Sequence, residues 1–84
     1  MQGEESGNVR ELIEAIVKAL VDSPGEVSVE ASDSADGTAM QLRVAPGDVG
    51  KVIGRQGRMA RSLRTILSAA GLRLNKHFTL EIIE

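Results

Sequence analysis

Apolar residues recur along this chain with two different periods. Val9, Leu12, Ile13, Ile16, Val17 and Leu20 are spaced i, i+3, i+4, i+7, i+8 and i+11, which is one face of an amphipathic helix. Asn8, with Glu11 three residues on, resembles a capping box, and Asp22-Ser23-Pro24-Gly25 supplies a stop. This segment predicts a helix over 9–21. The period then changes to two. Val27-Ser28-Val29-Glu30-Ala31 and Met40-Gln41-Leu42-Arg43-Val44 alternate apolar with polar, as half-buried strands do, and the turn formers Ser32 to Gly37 between them predict a hairpin. Pro46 suits the first position of a helix, and Val49, Val52 and Ile53 give that helix one apolar side. Gly54 can take a left-handed conformation and end it. A longer helix is predicted after Gly57, with Met59, Leu63, Ile66, Leu67 and Ala70 inward and Gly71 at its end. Phe78, Leu80 and Ile82 alternate with Thr79 and Glu81 in a third strand.

The predicted order is α-β-β-α-α-β, an α+β fold with a three-stranded sheet and its helices packed on one face. At 84 residues the chain allows one domain, which we place at 8–84 behind a flexible N-terminal tail, 1–7. The other sheet face is polar, with Ser28, Glu30, Gln41, Arg43, Thr79 and Glu81. Ile83 breaks that pattern, either by fraying at the strand end or by touching a second chain. The first seven residues, MQGEESG, carry no apolar segment, and no apolar run approaches the ~20 residues that span a bilayer. The expectation is a cytoplasmic protein without membrane association.

Composition narrows the chemistry. There is no cysteine, which excludes a disulfide framework and a zinc knuckle. One Phe with no Trp or Tyr argues against a platform on which bases stack. The net charge of −2 argues against a polyanion partner until it is resolved along the chain. Val49 to Leu80 holds Lys51, Arg55, Arg58, Arg61, Arg64, Arg73 and Lys76 with no acid, which is +7. The remainder sets Arg10, Lys18 and Arg43 against twelve acids, which is −9. Such segregation points to a polyanion at the basic part, although a helix face that merely carries solvated Arg is the alternative. Arg73 and Lys76 fit that solvated role.

The sharpest motif lies inside the basic segment, at Gly54-Arg55-Gln56-Gly57. A GxxG sequence alone is common. Here a short helix ends at its first glycine and a longer one begins at its second. A helix N-terminus offers unpaired N–H groups and partial positive charge, a ready phosphate site. Two glycines let a nucleic-acid backbone approach without Cβ obstruction, and Arg55 and Gln56 at the tip can donate to phosphate oxygens. Arg58, Arg61 and Arg64 recur every third residue along one drifting stripe, and Lys51 adds a cation from the preceding helix. Together they form a basic rim around a shallow apolar groove. Gly50, Val52 and Ile53 are candidates for part of its floor, with plain core as the equal alternative for Val52 and Ile53.

Val-Ile-Gly-Arg-Gln-Gly at 52–57, preceded by Gly50-Lys51 and followed by an Arg-rich helix, resembles the centre of a KH domain. The element order is similar to the type II arrangement of bacterial KH domains, and the resemblance covers about Val9 to Ile83. It implies a GxxG clamp on about four nucleotides of single-stranded RNA with bases in an apolar groove. The implied RNA-binding residues are Lys51, Ile53, Gly54, Arg55, Gln56, Gly57, Arg58, Arg61 and Arg64. The loop from Ser32 to Gly37 resembles the variable loop across the groove, here short and acidic. Small free-standing KH proteins of this kind further imply homodimers, a larger Jag-type KH partner, and an RNA-chaperone role linked to cell shape, elongation and wall synthesis.

No catalytic role is expected. The chain has no Cys nucleophile, no clustered carboxylate pair and no triad-like setting for its one histidine, His77. Gly50-Lys51 lacks the upstream glycine and the Ser/Thr of a Walker loop. The two aspartates at 33 and 36 are too few for a calcium loop, so neither a metal nor another cofactor is expected. Two other functional classes compete with RNA binding. One is an interaction adaptor whose fold serves dimerisation. The other is a helix-turn-helix DNA binder, disfavoured because both glycines fall in the connector and the first helix is short.

Overall fold

A computed structural model describes the backbone of residues 2–83 and the side chains of residues 7–83. Helix α1 (Gln2–Leu20) is followed by strands β1 (Ser28–Ser34) and β2 (Gly37–Arg43), helices α2 (Val49–Ile53) and α3 (Arg58–Leu74), and strand β3 (Phe78–Ile83). Short 3-10 turns at Pro24–Glu26, Pro46–Asp48 and Arg55–Gly57 join them. The sheet order is β1-β2-β3, with β1 antiparallel and β3 parallel to the central β2. Two parallel neighbours need a crossover connection. Here that crossover is α2, the GRQG connector and α3, so the connector is carried on the pair of elements that bridges the sheet. The fold is the expected α+β domain in the order α-β-β-α-α-β.

The core lies between the sheet's inner face and the three helices. Val9, Ile13 and Val17 of α1 meet Val27 and Val29, Met40 and Leu42 of β2, Val52 of α2, Leu63 and Leu67 of α3, and Phe78 and Leu80 of β3. The strand register aligns Val29 with Leu42, Ala31 with Met40 and Asp33 with Thr38 on one side, and Met40 with Leu80 on the other. The opposite face carries Ser28, Glu30, Gln41, Arg43, Thr79 and Glu81, all exposed as the alternation predicts. Ile83 is half-buried and paired with Arg43, so β3 stays in register through its last described residue and fraying is not what is found.

Four local expectations are corrected. α1 begins at Gln2, not after an Asn8 cap. A cap is worth about 1 kcal/mol, while extending an existing helix adds a hydrogen bond per residue without a new nucleation step. Met1 of the expected tail and Glu84 at the domain's end lie outside the described residues. Of the six apolar positions in α1, Leu12 and Leu20 are exposed at 47% and 36%. One sheet accepts only a narrow stripe, and Val9, Ile13 and Val17 take it. The hairpin loop is shorter than predicted: Ser34 pairs with Gly37, leaving Ala35-Asp36 as the connection. The Thr38 hydroxyl donates to Asp33 Oδ1 at 2.6 Å, and the Ser34 hydroxyl accepts from Asp36 N–H and donates to Gly37 O, so polar residues that read as loop are held as strand.

Gly71, expected at the end of α3, lies inside that helix and is buried. A Cβ there would run into the Lys76 carbonyl oxygen and sit 3.5 Å from Phe78 Cδ2. Gly71 therefore lets the chain double back onto the helix, and the Lys76 N–H donates to Gly71 O at 2.8 Å. The helix ends instead at Asn75, whose left-handed conformation (φ 57°, ψ 46°) is one that asparagine adopts more readily than most residues.

Candidate nucleic-acid interface

α2 is held in place by a buried carboxylate. Asp48, 3% exposed, accepts the Ser23 N–H at 3.0 Å and the Asp22 N–H at 3.2 Å. It thereby ties the start of α2 to the chain leaving α1. Val52 is fully buried, so of its two open roles it takes the core, and Ile53 is left half-buried at the surface. The Gly54 N–H donates to Gly50 O at 2.8 Å and closes the helix.

The connector then turns through an unusual backbone. Gly54 (φ 77°, ψ 173°), Gln56 (φ 58°, ψ 26°) and Gly57 (φ 74°, ψ 14°) all have positive φ. Gly54 sits in a region open essentially to glycine alone. The two glycines differ in what surrounds them. A Cβ on Gly54 would stand 2.7 Å from Met59 Cβ and 2.8 Å from Met59 N, whereas a Cβ on Gly57 would meet nothing within 4 Å. Only Gly57 therefore leaves open space for an approaching backbone. The missing Cβ of Gly54 lets α3 pack against the loop. Gly57 is the N-cap of α3 and no side chain caps that end, so the first N–H groups of a 17-residue helix have no side-chain acceptor.

The side chains expected to bind separate into three groups. Arg55 and Gln56 are exposed at the loop tip, and Arg58 is exposed in the first turn of α3. Ile53, Gly57, Arg61 and Arg64 line a groove of about 680 Å³ whose other lining residues are Ala60, Leu80, Glu81 and Ile82. Lys51 lies outside that groove and pairs with Asp22 at 3.5 Å. Gly50 does not line it either. Among the described residues Arg55, Arg58, Arg61 and Arg64 form no ion pair, so the basic charge around the loop is uncompensated. Arg64 is nonetheless engaged, its Nη2 donating to the Leu80 carbonyl at 3.3 Å. β3 as the far wall of the groove is not visible in the sequence, where Leu80 and Ile82 read only as inward positions of a strand. Neither is Ala60, whose small side chain keeps the near wall low.

A larger depression, of about 860 Å³, lies at the opposite end of α3 between the hairpin tip and Asn75 to Phe78. Asp33 and Asp36 stand on its hairpin side. Its size exceeds that of the groove, but it lies away from the loop and sets two carboxylates beside one lysine, Lys76, which makes it the poorer place for phosphate. The short acidic hairpin is thus set away from the basic rim.

A family model described as KhpA/KhpB, KH domain, matches residues 10–82. The chain belongs to that family. It is 48% identical over 80 residues to an RNA-binding protein KhpA of Borreliella burgdorferi, covering 95% of this chain and 98% of the relative. It is 54% identical over 74 residues to the KhpA of Treponema pallidum, covering 88% and 92%. The KhpA of Aquifex aeolicus is 43% identical over 76 residues, covering 90% and 96%. Among solved structures, Aquifex aeolicus Era bound to GDP.AlF4- superposes with a TM-score of 0.64 at 15% identity. That likeness covers 88% of this chain and 29% of Era, and it concerns the fold alone. The KH resemblance read from Val52 to Gly57 therefore holds at the level of family and fold. Among the described residues no helix is long and apolar enough to cross a membrane.

Proposed function

We propose that this protein binds single-stranded RNA, with the backbone at the Gly54–Gly57 loop and the bases in the groove between α3 and β3. The observation that carries this reading is the α3 N-terminus. It has no side-chain cap, it opens through Gly57 onto free space, and Arg55, Arg58 and Arg61 surround it without ion pairs among the described residues. Amide donors and a fork of guanidinium groups suit phosphate oxygens. The apolar groove residues Ile53, Ala60, Leu80 and Ile82 suit the face of a base without requiring an aromatic partner. Relatives across nearly the whole chain carry the name RNA-binding protein, which supports the same reading. Lys51 takes part only by leaving Asp22, an exposed pair whose loss costs little.

Family membership extends the proposal to a post-transcriptional, RNA-chaperone-like role in the cytoplasm linked to cell shape and elongation, with KhpB (the larger Jag-type protein) as partner and a homodimer as the assembled form. The binding role itself is non-catalytic.

The test is the double replacement Arg55→Asp with Gln56→Asp. Asp tolerates the left-handed backbone at position 56, so the loop is retained. Loss of single-stranded RNA binding with an unchanged melting temperature is expected. For the unaltered protein, log K should fall against log salt with a slope of roughly −2 to −3, from about 0.7 per neutralised phosphate at three or four cations. A double variant that binds RNA as tightly as the parent, or a parent that prefers duplex DNA, would contradict the reading.

A further inference from the structure

Each outer strand of the sheet has a carbonyl covered by an arginine from the helix that packs on it. Arg10 of α1 donates from Nη1 to Val29 O, and Arg64 of α3 donates from Nη2 to Leu80 O, both at 3.3 Å. In β3 the Thr38 N–H donates to His77 O, so by the alternation of a parallel strand the carbonyls of Phe78, Leu80 and Ile82 face the free edge. Covering an open edge is a common protective device, and for Arg10 it is a sufficient account. Arg10 also donates to Glu14 Oε1 at 3.3 Å, which occupies its charge. Arg64 has no carboxylate partner among the described residues, and unlike Arg10 it lines the groove.

A guanidinium carries five N–H donors in a fixed planar fork. The bond to Leu80 O fixes that fork at the groove wall and leaves most donors unused. Glu81 also lines the groove, but its side chain stands on the polar face of the sheet, where Gln41 Nε2 donates to Glu81 Oε1 at 3.4 Å. Ile53, Ala60, Leu80 and Ile82 form the surrounding apolar surface. A flat base with acceptors on its edge satisfies both conditions, unused donors held at a fixed position and an apolar surface around them. We propose that Arg64, oriented by the Leu80 carbonyl, is a base-reading residue that favours guanine and cytosine over adenine and uracil. Guanine offers O6 and N7 to a bidentate fork, and cytosine offers O2 and N3, whereas in adenine and uracil the acceptors alternate with N–H donors. This rests on the RNA-binding reading above and gives its groove a base preference.

The test uses short oligouridine RNAs in which one central base is uracil, adenine, guanine or cytosine. Fluorescence anisotropy is measured for the unaltered protein, Arg64→Lys and Arg64→Gln, with a thermal melt on each. Arg64→Lys keeps a donor for the strand edge, and so guards against a variant that merely fails to fold. The unaltered protein should bind the guanine and cytosine RNAs about ten-fold more tightly than the other two. Both variants should bring the four affinities within about two-fold, by losing affinity for the guanine and cytosine RNAs. Variants that keep the parent's ratios would reduce Arg64 to an edge cover. Variants that weaken all four RNAs equally and lower the salt slope by about 0.7 would make it a phosphate contact. Equal affinity of the parent for all four would also overturn the inference, in each case leaving RNA binding intact. No binding of any RNA by the parent would overturn RNA binding and this inference together.

Discussion

Replacing the two glycines of the connector one at a time separates folding from ligand approach. In Gly54→Ala the new methyl would stand 2.7 Å from Met59 Cβ and 2.8 Å from the Met59 backbone nitrogen, at φ 77° and ψ 173°. Alanine in that region costs about 1–3 kcal/mol from the backbone conformation alone. The contact adds overpacking of about 1–3 kcal/mol, because a backbone atom at the start of α3 cannot swing away as a side-chain tip can. A total near 3 kcal/mol corresponds to a fall in melting temperature of roughly 12–24 °C for a domain of this size. Gly57→Ala has the left-handed penalty, about 1 kcal/mol and roughly 4–8 °C, but no clash, since nothing lies within 4 Å. Its methyl instead stands where a phosphate would approach the α3 N-terminus, so RNA affinity should drop about ten-fold with the fold intact. Urea and thermal unfolding followed by circular dichroism, with anisotropy on the folded variants, read both effects. Gly54→Ala melting within about 2 °C of the parent, or Gly57→Ala being the more destabilised of the two, would refute the reasoning.

Three further replacements test other parts of the structure. Asp48→Ala removes a buried acceptor shared by the Asp22 and Ser23 N–H groups and should destabilise by about 2–3 kcal/mol in urea unfolding, with Asp48→Asn milder. Gly71→Ala should destabilise by about 2 kcal/mol although alanine is the better helix former by about 1 kcal/mol, because its Cβ meets the Lys76 carbonyl; a stabilised variant would contradict the close return of the chain. Asp22→Asn frees Lys51 and should raise RNA affinity by no more than about three-fold at low salt, an effect that vanishes as salt screens it.

Periodicity exposed the elements of this fold because each helix and strand buries one face against a common core. The alternation at Met40, Leu42, Phe78 and Leu80 and the spacing of Leu63 and Leu67 are direct consequences of that burial. What periodicity cannot report is how chain segments approach one another. Gly71 reads as a helix end because glycine commonly is one, while its actual role depends on Lys76 returning alongside it. Leu12 and Leu20 satisfy the helical spacing and yet stay exposed, since the width of the buried stripe is set by the partner sheet. The loop tip was legible in Arg55 and Gln56 because the motif is local. The second wall of the groove was not, because Leu80, Glu81 and Ile82 reach it only through the parallel pairing of β3 with β2. Pairings of that kind are long-range and leave no mark on local sequence.

The proposed RNA contact is the Gly54–Gly57 loop together with the groove between α3 and β3. Backbone amide shifts followed by nuclear magnetic resonance during titration with a short single-stranded RNA locate that contact directly. The largest changes should fall on Gly54 to Arg61 and on Leu80 to Ile82, with smaller ones at Lys51 and Arg64. Changes concentrated instead on the open sheet face around Glu30 and Gln41, or on the exposed side of α1 at Leu12 and Leu20, would contradict the account.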